Sequence, residues 1–129
     1  MLAAYRAAQT ARASAEVCIV GKSLGTLGIH LLLSQEALPG ARLVWLTPLL
    51  GRPEVQARIL ERAATLLVVI GTLDPHFSSD RVQELRSAGA ELLVLEGAHH
   101  NLMVQGDTVA SLRHLCRVMQ AIRDFAASV

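Results

Sequence analysis

The chain has 129 residues, 12 Lys and Arg against 11 Asp and Glu, a formal net charge of +1 and 52% hydrophobic residues. That is one domain's length with enough apolar matter for a buried core, so a disordered chain is excluded. Scattered arginines, near-neutral charge and an aromatic content of 3% give neither the electrostatic footprint nor the stacking platforms of a nucleic-acid binder, and no basic face for an anionic membrane.

The first fifteen residues, MLAAYRAAQTARASA, hold Arg6 and Arg12 but no acid. This is the composition of a transit-peptide fragment, and equally of an Ala-rich helix packed through Leu2 and Tyr5; we expect the helix. Next, residues 16–21 form a short apolar run closed by Gly21, and 24–36 read as a helix ending before Pro39-Gly40. A second run, 42–46, stops at Thr47-Pro48. Residues 52–64 carry Val55, Ile59 and Leu60 at helical spacing, with Pro53 in the first turn. The third run, 66–70, ends at Gly71. Ser79 or Asp80 can cap a helix bearing Val82 and Leu85 that stops at Gly89. A fourth run, 92–95, is followed by a long helix capped by Asp107, with apolar residues at Val109, Leu112, Leu115, Cys116, Met119, Ile122 and Phe125.

The strand runs are continuously apolar rather than alternating, the pattern of strands buried on both faces. Strands alternating with helices predict one domain over 1–129: a three-layer α/β/α sandwich with a mostly parallel sheet of about four strands. Cys18 and Cys116 lie far apart in apolar segments and match no metal or disulfide spacing, so we expect buried free thiols in a reducing cytoplasm. No apolar run approaches the roughly 20 residues of a membrane span.

Polar residues follow directly on three of the four strand ends, where functional groups gather in such sheets. Gly21-Lys22-Ser23-Leu24-Gly25 is a G-x-S-x-G between strand and helix. A serine on so sharp a turn needs small neighbours, here Gly21 and Gly25, and the N–H of Leu24 at the helix start can stabilise an oxyanion. Gly28, one turn on, would allow close helix–sheet packing. An ordinary βα turn is the plainer alternative. Gly21-Lys22-Ser23 also spells the end of a phosphate-binding loop, but that motif requires glycine where Glu16 stands, and a carboxylate there would repel phosphate.

Asp74, in Gly71-Thr72-Leu73-Asp74-Pro75, could accept an imidazole N–H, although Asp-Pro is also a common turn former. His99 and His100 follow the fourth strand, and a histidine there could take the serine's proton. Adjacent histidines can also bind metal, but no cluster of acids or cysteines supports it. His76 lies near Asp74 and could line the pocket mouth with Lys22 and His99. His30 and His114 fall within helices, where packing roles are expected. The order Ser, Asp, His, each beyond a different strand, is the α/β-hydrolase order.

The sequence resembles small bacterial α/β-hydrolases of the esterase and lipase-like superfamily over nearly its whole length. VGKSLGT at 20–26 looks like the nucleophile elbow, VWLTPLL at 44–50 the following strand and loop, VIGTLDPHF at 69–77 the acid segment, and GAHHNLMVQGD at 97–107 the histidine loop. The resemblance implies a Ser23–His100–Asp74 triad, with His99 where the family often has Asp, acting on a small ester-type substrate without metal or organic cofactor. Departures matter as well. The family's sheet begins with several strands before the elbow, whereas one helix precedes it here. The loop that normally gives the second oxyanion N–H is missing, and losing such a donor costs on the order of 10²–10³ in rate. The elbow strand is then expected to be an open sheet edge, to be closed by a homodimer or partner chain. The competing expectation is a catalytically incompetent fragment or interaction module that keeps the triad letters.

Overall fold

In the computed structural model, residues 1–11 and 16–128 are described. Four parallel strands alternate with helices in chain order: α1 (Leu2–Ala11), β1 (Cys18–Lys22), α2 (Leu24–Gln35), β2 (Arg42–Leu46), α3 (Pro53–Glu61), β3 (Leu66–Gly71), α4 (Ser79–Ser87), β4 (Glu91–Leu95) and α5 (Thr108–Ala127), with one 3-10 turn at Ala63–Thr65 before β3. The sheet order is β1-β2-β3-β4, with Val20 beside Val44, Trp45 beside Val68, and Val69 beside Leu93.

That order fixes the layers. Each right-handed crossover moves one strand in the same direction, so the three intervening helices must share a face. Ile29 and Leu32 of α2, Val55 and Ile59 of α3, and Val82 and Leu85 of α4 pack with Tyr5 of α1 against Leu43, Trp45, Leu66, Val68 and Ile70. On the opposite face α5 is the one helix among the described residues, burying Val118 and Phe125 on Val44, Leu67, Val69 and Leu95. The result is the expected three-layer α/β/α sandwich, with one layer a single helix.

Two-sided burial holds for the inner strands only. β3 is buried along its whole length and β2 at its three central residues. β1 is an outer strand, as expected, and the face it turns toward the α5 side is open: Cys18, Val20 and Lys22 are exposed. The expectation of buried thiols is therefore wrong at both positions, since Cys116 on α5 is exposed as well. A continuous apolar run reports the inside of a sheet but does not say whether a given strand is inner or outer.

Helix ends differ in detail from the sequence reading. Pro53 opens α3 as expected. The N-cap of α4 is Ser78 rather than Ser79 or Asp80. Gly89, at φ +100°, closes α4, with the Ala90 N–H bonded to Leu85 O at 3.1 Å. Asp107 caps α5, its carboxylate accepting the Ala110 N–H at 2.9 Å. The N-terminal helix forms through Ala11; residues 12–15 of that reading lie outside the described residues. No described helix is long and apolar enough to cross a membrane.

Candidate active site

Ser23 sits between β1 and α2 with φ 52° and ψ −113°, a backbone conformation costly for a residue with a Cβ. Its surroundings hold it there. The Ser23 N–H bonds to Leu46 O at the end of β2 (3.0 Å), and its C=O accepts both the N–H and the hydroxyl of buried Thr26 (2.9 and 2.6 Å). Gly21 permits the tight entry: a Cβ there would lie 2.8 Å from Gly25 O and 2.7 Å from Ile29 Cδ1. The expected reasons for the other two glycines do not hold. A Cβ on Gly25 meets no described atom within 4 Å, and one on Gly28 would meet the tip of Met1, not the sheet.

Three loops bring the polar groups together. Ser23 Oγ lies 2.8 Å from His100 Nε2, and His100 Nδ1 lies 2.7 Å from Asp74 Oδ2. The Asp74 side chain is fully buried, whereas that of His100 is about one-third exposed. The second Asp74 oxygen, Oδ1, accepts the backbone N–H of His76 at 2.8 Å. A carboxylate with both oxygens engaged cannot rotate, so it fixes the ring of His100 in one orientation. Leu24 begins α2, so its N–H is among the first-turn donors that have no carbonyl within their own helix.

The remaining sequence-predicted positions surround this chain of hydrogen bonds. His100, not His99, is the histidine joined to Ser23 and Asp74; the backbone N–H of His99 bonds to Met103 O at 3.0 Å, and the residue lines a separate cavity with Asn101, Met103 and Val104. His76 faces His100 with ring centroids 5.9 Å apart. Lys22 reaches the α5 side of the sheet, where with Leu46, Leu112, Leu115 and Met119 it lines an apolar groove of about 370 Å³. His30 and His114 lie on α2 and α5, apart from the site; His114 Nε2 bonds to Glu96 O at 2.8 Å. Among the described residues no three His, Cys, Asp or Glu side chains gather as a metal site.

Sequence reasoning missed the residues that hold the histidine loop. Gly71 is one: a Cβ there would fall 2.1 Å from Ala98 O, because the loop after β4 crosses directly over the end of β3. Thr72 Oγ1 accepts the Gly97 N–H (2.8 Å), and Ser111 on α5 accepts the Val104 N–H (2.9 Å) while donating to Asp107 O (2.8 Å). A glycine ending a fully buried strand was the available signal for the first; Ser111 carried none.

With helices on both faces of a four-stranded parallel sheet and Ser23, Asp74 and His100 joined beyond the carboxyl ends of β1, β3 and β4, the chain has the fold of the α/β-hydrolases. Solved structures agree on the fold. A protein described as a CIB-like hydrolase from Thermoplasma acidophilum superposes with a TM-score of 0.61 at 17% identity, over 95% of this chain and 58% of that one. An esterase domain from Rhodothermus marinus gives 0.52 at 14% identity, covering 95% and 68%. A thermophilic esterase from the planctomycete Thermogutta terrifontis, with propionate bound, gives 0.50 at 19% identity, covering 87% and 57%. The chain thus spans a little under three-fifths of the length of the Thermoplasma and Thermogutta proteins. No family model matches the sequence, and no curated protein does.

Proposed function

We propose that this chain carries the nucleophile of a serine hydrolase acting on an ester or related acyl substrate. The observation that supports it is the unbroken chain from Ser23 Oγ through both nitrogens of His100 to the buried carboxylate of Asp74. In this reading Ser23 Oγ attacks the substrate carbonyl and its proton passes to His100 Nε2. The imidazolium, held by Asp74, returns that proton to the departing alkoxide, which leaves as an alcohol with an acyl group on Ser23. Water then attacks the acyl carbon, His100 takes a proton from it, and the acid is released as Ser23 recovers its proton. The Leu24 N–H supplies half of an oxyanion hole. The esterases among the structural neighbours fit this substrate class.

Labelling with a fluorophosphonate probe tests the proposal, because the probe reports an activated serine whatever the natural substrate. Labelling of the purified chain that disappears in both Ser23→Ala and His100→Ala is the expected result. Folded protein that resists labelling refutes it.

A second reading is favoured by a specific observation: the uncovered flank of the sheet. The open face of β1 adjoins a stripe on α5 in which Val109, Leu112, Leu115 and Met119 are each more than half exposed. In this reading the site works only once a partner chain or a second copy has closed that edge. Light scattering separates the two: labelling by a monomer supports the first, and labelling confined to an assembled form supports the second.

A further inference from the structure

His76 enters the surroundings of the triad twice. Its backbone N–H occupies Asp74 Oδ1 while His100 takes Oδ2. Its ring turns the other way, Nδ1 accepting the N–H of Gly51 in the loop after β2 at 3.2 Å. A Cβ on Gly51 would lie 2.9 Å from that nitrogen, so the ring rests directly on backbone that only glycine leaves open. The same ring flanks His100 at 5.9 Å between centroids, tilted by 51°. One residue therefore ties the acid loop to the β2–α3 loop and stands beside the base.

An accepting ring nitrogen carries no proton. The tie to Gly51 exists only while His76 is neutral with its hydrogen on Nε2; an imidazolium would present N–H to N–H. Protonation would also place a second cation beside the imidazolium that His100 becomes during proton transfer. Over about 6 Å, with an effective dielectric between that of water and about 20, this repulsion slows the step by roughly threefold to a hundredfold. The groups facing His76 are Asp74 in its own loop, His100 from the loop after β4, and Arg81 of α4, whose guanidinium donates to the His76 C=O at 3.5 Å. Thr47-Pro48-Leu49-Leu50-Gly51, from the β2 side, contains no ionisable side chain.

Resting on the serine-hydrolase reading above, we propose that His76 is a positioning residue whose neutral form keeps His100 in register and whose protonation switches the site off. The acid limb of the pH profile then contains two protons, one for His100 and one for His76.

The test is the rate of fluorophosphonate labelling between about pH 5 and 8, with wild type, His76→Asn and His76→Ala compared. The wild-type rate is expected to fall on the acid side with a logarithmic slope approaching two. Asn can accept from the Gly51 N–H without titrating, so His76→Asn keeps the neutral rate within about threefold and shows a slope of one. His76→Ala loses about ten- to a hundredfold at neutral pH through misplacement of the base. A wild-type slope of one, a slope of two retained in His76→Asn, or an Ala variant as fast as wild type overturns the proposal. Long-range ¹H–¹⁵N spectra of the imidazoles need no activity: the Nε2–H tautomer at His76 supports the tie, and an Nδ1–H tautomer overturns it. A wild type that is not labelled but shows the Nε2–H tautomer keeps the tie and refutes the hydrolase reading instead.

Discussion

Asp74→Asn is the substitution on which the site's geometry makes the sharpest prediction. The buried carboxylate receives two donors, the backbone N–H of His76 on Oδ1 and His100 Nδ1 on Oδ2. Asn offers one oxygen and one NH₂. A backbone N–H cannot change its role, so the amide oxygen must turn to His76 and the NH₂ to His100. His100 Nδ1 then has to be the acceptor, which moves the ring proton to Nε2 and points it at Ser23 Oγ. The base is already protonated on the side where it must take a proton. The wrong tautomer in such a site costs about 10⁴ in kcat, or about 5 kcal/mol of transition-state stabilisation. Stability should change little, because every polar atom finds a new partner; the unfolding midpoint is expected within about 5 °C of wild type. Labelling rate and calorimetry on the same preparation measure both quantities. A variant that folds normally and keeps its rate within tenfold of wild type would refute the claim that Asp74 sets the His100 tautomer.

Other predictions rest on single contacts. Gly21→Ala forces a Cβ to within 2.8 Å of the Gly25 carbonyl and should lower stability by about 1–3 kcal/mol in denaturant titrations. Gly25→Ala meets nothing among the described atoms and sits in a helix, so it should be neutral or stabilising by up to about 1 kcal/mol in the same assay. Ser111→Ala strands the Val104 N–H and should cost about 1–3 kcal/mol, with a lower melting temperature and slower labelling of Ser23. Cys18 is exposed as a residue, but partial desolvation where its thiol meets the protein pushes that thiol up, against a smaller downward pull from Arg42. Less thiolate is present at a given pH, so half-maximal alkylation of Cys18 should need a more alkaline medium than the pH of about 8.5 that suits a free cysteine.

How much the sequence discloses depends on how local the physics is. The four strands are legible because each is a short apolar run closed by Gly, Thr-Pro or Glu-Gly, and the Asp107 cap is legible because a cap acts three residues away. The order Ser23, Asp74, His100 is legible because each of these residues lies just past a strand end. Contacts between distant segments are not. Gly51 and His76 are 25 positions apart, and no spacing rule connects a glycine in one loop to a ring in another. Periodicity on α5 identifies an apolar stripe, yet the residues it buries are Ser111, Val118 and Phe125, while Val109, Leu112, Leu115 and Met119 are exposed. A period says that a helix has a face and is silent on what covers it. The buried thiols failed for the same reason at Cys18, whose strand has, among the described residues, a neighbour on one side only.

The reach of the histidine loop explains how so small a sheet can assemble this site. Ser23 follows β1 and His100 follows β4, three strand spacings or roughly 14 Å apart, yet their side chains lie 2.8 Å from each other. The loop after β4 must fold back across the end of β3, and it does so over Gly71, anchored by Leu73 N–H on Ala98 O at 3.0 Å and by Thr72 on Gly97. The hydrogen-bond chain thus needs Gly71 as surely as it needs Ser23. Ser23, Asp74 and His100 follow β1, β3 and β4, so in the first of the two proposed readings activation of the serine would depend on contacts among the described residues. Oxyanion stabilisation is different in that reading, because Leu24 would provide one donor and efficient acyl transfer uses two. The two functions are therefore separable by experiment. A chain that is labelled at Ser23 but turns over esters 10²–10³-fold below the rate its labelling implies, within the order of magnitude of one lost donor, would show an activated nucleophile waiting on a second oxyanion contact. Turnover in step with labelling would mean that this chain supplies both.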